Sequence, residues 1–370
     1  MRMLVTGDWH IGARTWGIDR LDEAREGLRQ ISCLAEAFRV ECIVVLGDVF
    51  DHFRYPGEDA VTLVASSLRC LLDQPQRPTI LLLKGNHDWS GIKVWEILEG
   101  ENRLKIISQP TSINLGPYRL LLVPYLRLHQ LPPEGIIKLL EDAWAQSSPQ
   151  GIPIAMAHLA IEGSAPADFE VTLPIDSLAE LGIETAICGH IHRHGDIPLK
   201  AKAFKAFYCG PLFRLDFAEE GQPLGCFLIE EGSLRAVRLE GRPLKTLKYA
   251  DENEAMAKLE SDLSCLSSDA FVRVALKSAS LNDSQLFERF RALKRGEQIV
   301  TISALRPRRE GEDGSMYELN VNELWKRYVG EMEQDDVLKD MLCEAGISLL
   351  HGDDPSMIWE RLCNVGGMRQ

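Results

Sequence analysis

Short apolar runs rich in β-branched residues alternate with longer amphipathic stretches through the first two thirds of the chain. Runs at residues 2–6, 42–46, 79–83, 119–123, 152–157 and 185–188 have the length and β-branched character of strands. Between them, residues 19–39 and 58–72 carry apolar side chains at helical spacing, for example Val61, Val64, Leu68 and Leu71. Such alternation predicts an α/β sandwich whose helices cover its sheets.

The texture changes after Gly210-Pro211. Two strand-like runs, 224–229 and 234–239, flank a Glu230-Glu231-Gly232-Ser233 turn and predict an antiparallel hairpin closing the sandwich. A polar helical stretch at 251–266, a strand at 271–276, a helix at 284–294 and a strand at 299–305 predict a small β-α-β unit. The charged, glycine-rich segment 306–315 reads as a linker. Beyond it, Leu324, Tyr328, Met332, Leu338, Met341 and Leu342 keep helical spacing, for an element that folds back or docks a partner.

With 370 residues the chain exceeds one average domain. Hydrophobic residues make up 45% and charged ones 26%, which is globular, and no apolar stretch is long enough to span a bilayer. The opening run reaches Gly7-Asp8 too soon for a secretory signal, so a cytoplasmic protein with no membrane association is expected. Nine cysteines occur without a C-x-x-C pair, and Cys42, Cys188, Cys209 and Cys226 fall in or beside apolar runs, as reduced core residues do. The net charge of −14 excludes a protein that coats nucleic acid by bulk electrostatics.

Five short signatures follow apolar runs, where the loops of α/β folds form their sites. They are Gly7-Asp8-Trp9-His10, Gly47-Asp48-Val49-Phe50-Asp51, Gly85-Asn86-His87-Asp88, Ala157-His158 and Gly189-His190-Ile191-His192. One Asp-x-His after a strand is an ordinary capped turn. Five in one chain, using five of its nine histidines, point to a metal site. Gly47, Gly85 and Gly189 allow sharp turns and close approach. In extended backbone, residues two apart point the same way, so Asp8 with His10 and His190 with His192 are expected to aim into one cleft. Nitrogen and oxygen donors without thiolate suit manganese, iron or zinc better than magnesium alone.

These motifs resemble the calcineurin-like metallophosphoesterase superfamily. Within it, Gly7-Asp8-Trp9-His10-Ile11-Gly12, Gly47-Asp48-Val49-Phe50-Asp51 and Tyr208-Cys209-Gly210-Pro211-Leu212-Phe213-Arg214 resemble the SbcD-type nuclease family of double-strand-break repair. The resemblance implies a sandwich of two mixed β-sheets flanked by helices. It also implies two divalent metals, manganese foremost, with Asp8, His10 and His192 on one, Asn86, His158 and His190 on the other, and Asp48 bridging. His87 would lie beside the scissile phosphate, stabilising the transition state or protonating the leaving oxygen, and Asp88 would hold a neighbouring imidazole or loop. The implied reaction is in-line attack by a metal-activated hydroxide on a phosphodiester, between metals roughly 3.5–4 Å apart.

The implied organisation is a nuclease domain at 1–245, an α+β capping domain at 246–306, a linker at 307–316 and a C-terminal helical region at 317–370. That last region would dock an SbcC-type coiled-coil ATPase, in a homodimer that cuts DNA ends and hairpins as exonuclease and endonuclease. Archaeal relatives often carry histidine where Asp51 stands, and here it follows at His52, which either tunes phosphate placement or is a loop residue in water. His129, His194 and His351 match no motif position. Trp9, Trp89 and Tyr125 either stack on bases or, the commoner case, pack beneath a loop. The basic stretch Arg193, Lys200, Lys202, Lys205 and Arg214 is either solvated surface or phosphate contact, and its place after the last histidine motif favours contact. A second stretch, Arg289 to Arg309, reads as surface charge.

Two other functions fit the sequence. One is a phosphoesterase acting on small-molecule or protein phosphates, consistent with the charge of −14. The other is a dimeric scaffold for an ATPase, consistent with the linker and terminal helices.

Overall fold

Met3, Leu4 and Val5 divide their side chains between two cores. Leu4 joins Ile43, Val45, Ile80 and Leu82 on one face, while Met3 and Val5 join Val44, Leu81 and Leu83 on the other. This period-two division with both faces buried explains why the strands read as continuous apolar runs. It is seen in a computed structural model that describes residues 1–52, 56–88, 102–164, 170–199 and 204–304.

The first sheet has six strands, in the order Ser233–Leu239, Leu224–Glu230, Arg2–Thr6, Cys42–Val45, Thr79–Leu83 and Leu104–Ile107. The last four run parallel, and the predicted hairpin adds the antiparallel edge. The second sheet, also six-stranded, has the order Gly195–Asp196, Lys205–Tyr208, Thr185–Cys188, Ile152–Ala157, Tyr118–Val123 and Thr111–Leu115. Its four central strands are parallel and both edges antiparallel.

Leu120, Leu122, Ile154, Met156 and Ile187 of the second sheet meet the inner face of the first in the central core. Helices Leu21–Ala37 and Glu58–Leu72 cover the outer face of the first sheet through Leu28, Ile31, Val64 and Leu68. Helices Gly135–Trp144 and Ile175–Glu180 cover that of the second through Leu140, Trp144 and Leu178. The fold is therefore the expected α/β sandwich of two mixed sheets flanked by helices. The first helix starts later than its apolar spacing predicts, because Ile18–Asp19 pairs with Arg14–Thr15 in a hairpin and the Asp19 carboxylate accepts the Leu21 N–H at 2.8 Å.

A third, parallel sheet comprises Leu244–Tyr249, Phe271–Leu276 and Ile299–Ala304, with helices Glu252–Ser264 and Asp283–Arg291 packed on it. Asp251 caps the first of these helices and Asn282 with Gln285 forms a capping box on the second, each satisfying orphan N–H groups. Strand Leu244–Tyr249 escaped the sequence pattern because Lys245 and Lys248 interrupt its apolar positions. The chain divides after Arg306, and the expected linker at 307–316 and C-terminal region at 317–370, like Trp89, Lys200, Lys202 and His351, lie outside the described residues. Among the described residues no helix is long and apolar enough to cross a membrane.

Arg20 ties the small sheet to the body. Its side chain is fully buried, donates to Glu23 at 2.6 and 2.7 Å and to the Arg214 carbonyl at 2.7 Å, and lies over the rings of Trp16, Phe213 and Phe271. Removing one member of a buried ion pair leaves the other desolvated. Arg20→Ala is expected to lower the unfolding free energy in urea by about 3 kcal/mol, a loss that Arg20→Lys does not recover, since an ammonium lacks the planar fork.

Candidate metal centre

Five strand ends deliver the donor loops: Arg2–Thr6, Cys42–Val45 and Thr79–Leu83 from the first sheet, Ile152–Ala157 and Thr185–Cys188 from the second. The loops are laced together within each sheet and, at His158, across the sandwich. Asp8 N–H donates to the Gly47 carbonyl at 3.0 Å, His10 N–H to Asp48 at 2.9 Å and Gly189 N–H to Ala157 at 2.9 Å. His158 Nδ1 bonds the Leu46 carbonyl.

The Asp-x-His and His-x-His pairs are not extended, contrary to the spacing argument. Asp8, His10, Asp48 and His190 have φ of 49°, 44°, 49° and 77°. They are four of nine non-glycine residues with positive φ among those described. Left-handed backbone at such residues is held only where surrounding contacts over-determine it. The turn after each strand, and not the pleat, aims these side chains inward.

Two glycines are required by close approach. A Cβ on Gly85 would stand 2.1 Å from Asp48 Oδ1, and one on Gly47 would stand 2.4 Å from His158 Nδ1, with φ of +88° besides. Asp88 joins the same two loops. It is buried, its Oδ1 accepts the N–H groups of Val49 at 2.9 Å and Phe50 at 3.1 Å, and its Oδ2 accepts that of Gly85 at 2.9 Å. Among these contacts Asp88 holds a loop.

The seven expected ligands lie in two neighbouring groups. In the first, ligand atoms of Asp8, His10 and His192 lie within 4.8 Å of one another; in the second, so do those of Asp48, His158 and His190. Asn86 Oδ1 completes the second group, 2.9 Å from His158 Nε2 and 3.1 Å from His190 Nδ1. Asp48 stands between them, its Oδ2 3.6 Å from His10 Nε2 and 3.4 Å from His158 Nε2. His10, Asp48 and His87 form a further cluster, and the His87 ring packs edge-on to His10 at 5.0 Å.

The donor set fits a cation. His10 Nδ1 faces Asp51 at 3.2 Å and His192 Nδ1 faces Glu219 at 2.9 Å. A carboxylate there keeps the proton on Nδ1 and leaves Nε2 with its lone pair. Yet the two Nε2 atoms face each other at 3.0 Å, and Asp8 of the same donor group has a buried Oδ2 with no hydrogen-bond partner among the described residues. Two lone pairs and a bare carboxylate oxygen repel unless a proton or metal ion lies among them. The same crowding shifts the titrations. Burial pushes His158 down, but the Asp48 and Asp8 carboxylates override it and raise it to about 9. Burial pushes Asp48 up, and the imidazoles of His158, His10 and His87 reverse this and hold it well below the carboxylate range. Asp88 is raised to about 6 by burial and then by the charge of Asp48.

Glu219 is a residue of the candidate site that the motifs did not reveal. It is buried, on the short Phe217–Glu219 turn, and its second oxygen accepts the Leu215 N–H at 2.8 Å. The signal stopped just short of it, in the segment ending at Arg214. Glu170 likewise meets His190 Nε2 at 2.8 Å, without any sequence cue. Among the expected phosphate contacts, His52 and Arg193 are exposed beside ligand loops. Lys205 pairs with Thr185, at the end of the second sheet remote from His190, and the Arg214 guanidinium donates to the Gln222 and Arg242 carbonyls. Trp9 is buried with its N–H on Thr6, while Tyr125 is half-buried, its ring 5.6 Å from that of His190. His194 packs on Phe227 and bonds the Cys209 carbonyl.

A mixed sandwich with histidine, aspartate and asparagine donors converging from five strand ends defines a metal-dependent phosphoesterase. The chain belongs to the calcineurin-like phosphoesterase family, whose match covers residues 1–194. That family hydrolyses phosphoesters with divalent metals. Similar solved structures include TT1561 of Thermus thermophilus, 12% identical over 65% of this chain and 99% of that one, with a TM-score of 0.44. A dimetal phosphatase from Danio rerio is 13% identical over 61% and 91%, with a TM-score of 0.41. An archaeal phosphodiesterase is 10% identical over 65% and 100%, with a TM-score of 0.36.

Removing an outer partner of a ligating imidazole typically weakens metal affinity about 10–100-fold. Glu219→Gln is expected to weaken one manganese equivalent by roughly that factor in a metal titration. The melting temperature of the chelator-treated protein should change little by comparison.

Proposed function

We propose that the chain is a two-metal-dependent DNA nuclease, an exonuclease and endonuclease acting on double-stranded ends and hairpins. The observation that carries the phosphodiesterase chemistry is the pair of donor groups with Asp48 Oδ2 standing between them, 3.6 Å from His10 Nε2 and 3.4 Å from His158 Nε2. Asp8, His10 and His192 would hold one ion, Asn86, His158 and His190 the other, and Asp48 both. Divalent metals there supply Lewis acidity to the phosphoryl oxygens and lower the pKa of the attacking water.

The chain's own residues do the rest. Asp88 and the Gly47 and Gly85 turns hold the two first-sheet loops in register. His87 N–H is anchored on Asp48 Oδ1 at 2.8 Å and its Nδ1–H on the Asp51 carbonyl, which leaves Nε2 as the free ring nitrogen; as an imidazolium the ring would hand its Nε2 proton to the leaving oxygen and return to the neutral form. DNA as the substrate is supported by the resemblance of three motifs to the SbcD-type family. Manganese in the cell, a homodimer and an SbcC-type ATPase docked on residues 317–370 rest on the same resemblance. The charge of −14 favours a second reading, hydrolysis of small-molecule or protein phosphates.

Incubation of the full chain, alone and with an SbcC-type ATPase, on end-labelled linear and hairpin duplexes tests the proposal. Cleavage with manganese that chelation abolishes is expected, and His87→Ala should lower kcat by about 10²–10⁴-fold while manganese still binds. Intact DNA alongside hydrolysis of nucleotides or phosphoproteins would favour the second reading instead.

A further inference from the structure

A cavity of about 230 Å³ opens beside the second donor group, lined by Asn86, Tyr125, Lys84, Arg127, Gln109 and Gln130 among others. Asn86 and Tyr125 belong to both places. Asn86 Oδ1 lies 2.9 Å from His158 Nε2, and the Tyr125 ring lies against those of His190 and His158. None of the described lining residues is acidic, although the chain carries 55 aspartates and glutamates against 41 lysines and arginines. Two cations and several amide and hydroxyl groups thus line the wall next to the expected metal ligands. Basic residues on a concave wall favour an anion inside it.

The cavity is framed by fixed backbone. Lys84 N–H donates to the Ile107 carbonyl at 3.0 Å and its own carbonyl accepts the Tyr125 N–H at 2.8 Å, which ties it between the two sheets. Arg127 begins a short turn closed by Gln130 N–H on the Arg127 carbonyl at 2.9 Å and by Arg127 N–H on Gln130 Oε1 at 2.9 Å. Both basic residues therefore start from set positions.

We infer that this cavity is a subsite for a second phosphate of the same substrate strand, held by Lys84 and Arg127 while the reacting phosphate occupies the metal centre. The inference rests on the phosphodiesterase reading above and deepens it. A phosphomonoester or an isolated diester has nothing to place there, whereas a polynucleotide has its neighbouring phosphate. The site then selects a strand by phosphate spacing and not by base identity, as backbone contacts do. Arginine can meet the phosphate with two donors and lysine with a point charge.

The test compares thymidine 3′,5′-bisphosphate with thymidine 5′-monophosphate as inhibitors of bis(p-nitrophenyl) phosphate hydrolysis by the full chain in manganese. Binding of a short oligothymidylate in calcium across a range of salt gives a second readout independent of turnover. The bisphosphate is expected to bind roughly ten-fold tighter than the monophosphate, the order of one charge-assisted contact. In Arg127→Ala and in Lys84→Ala that advantage should shrink towards unity, and the oligothymidylate salt slope should become shallower by about 0.7 if one phosphate contact is lost. Lys84→Arg should retain the advantage.

An unchanged ratio and slope in both alanine variants would overturn the subsite while leaving the chemistry standing. No hydrolysis of the diester by the parent protein would overturn the phosphodiesterase reading and the subsite with it.

Discussion

His10 and His192 come from opposite sheets and bring their Nε2 atoms to 3.0 Å of each other, in a donor group with Asp8, whose buried Oδ2 has no hydrogen-bond partner among the described residues. Asp51 and Glu219 hold the far sides of the two rings, so neither imidazole can relieve the contact by exchanging its nitrogens. The arrangement concentrates electron-rich atoms at a point where a folded protein ordinarily avoids them. A metal ion between the rings resolves it, or a proton shared by the two nitrogens when no metal is bound, and the surrounding architecture holds the rings in place for either.

That architecture explains several otherwise costly features. Left-handed backbone at Asp8, His10, Asp48 and His190 persists because each loop is bonded to another, in part across the sandwich. The fully buried Asp88 carboxylate is matched by three backbone N–H groups from two loops. Glycine stands at positions 47 and 85 because a single carbon there would collide with His158 or Asp48. The parallel cores beneath the loops, with strands buried on both faces, give them a rigid base.

Much of this is legible in the chain itself. Strands such as Cys42–Val45 and Thr79–Leu83 are apolar throughout because both their faces are covered, and the ligand motifs follow them directly. What the chain hides are relations fixed only by tertiary packing. Glu219 is one acidic residue among many until the fold buries it against His192. Lys205 looks close to the last histidine motif in sequence, yet the parallel register sends it to the opposite strand end. Lys84 and Arg127, far apart in the chain, share a wall only because the two sheets meet behind them. The Asp-x-His spacing was informative for a different reason than pleat geometry, since turns and not extended backbone align those side chains.

The most direct test of a shared two-ion centre is anomalous diffraction from crystals of the protein grown with manganese. Two peaks are predicted, one ringed by Asp8, His10 and His192 and the other by Asn86, His158 and His190, with Asp48 touching both and the His10 and His192 nitrogens drawn onto the same ion. A single peak, or peaks elsewhere with the His10–His192 contact intact, would contradict the account.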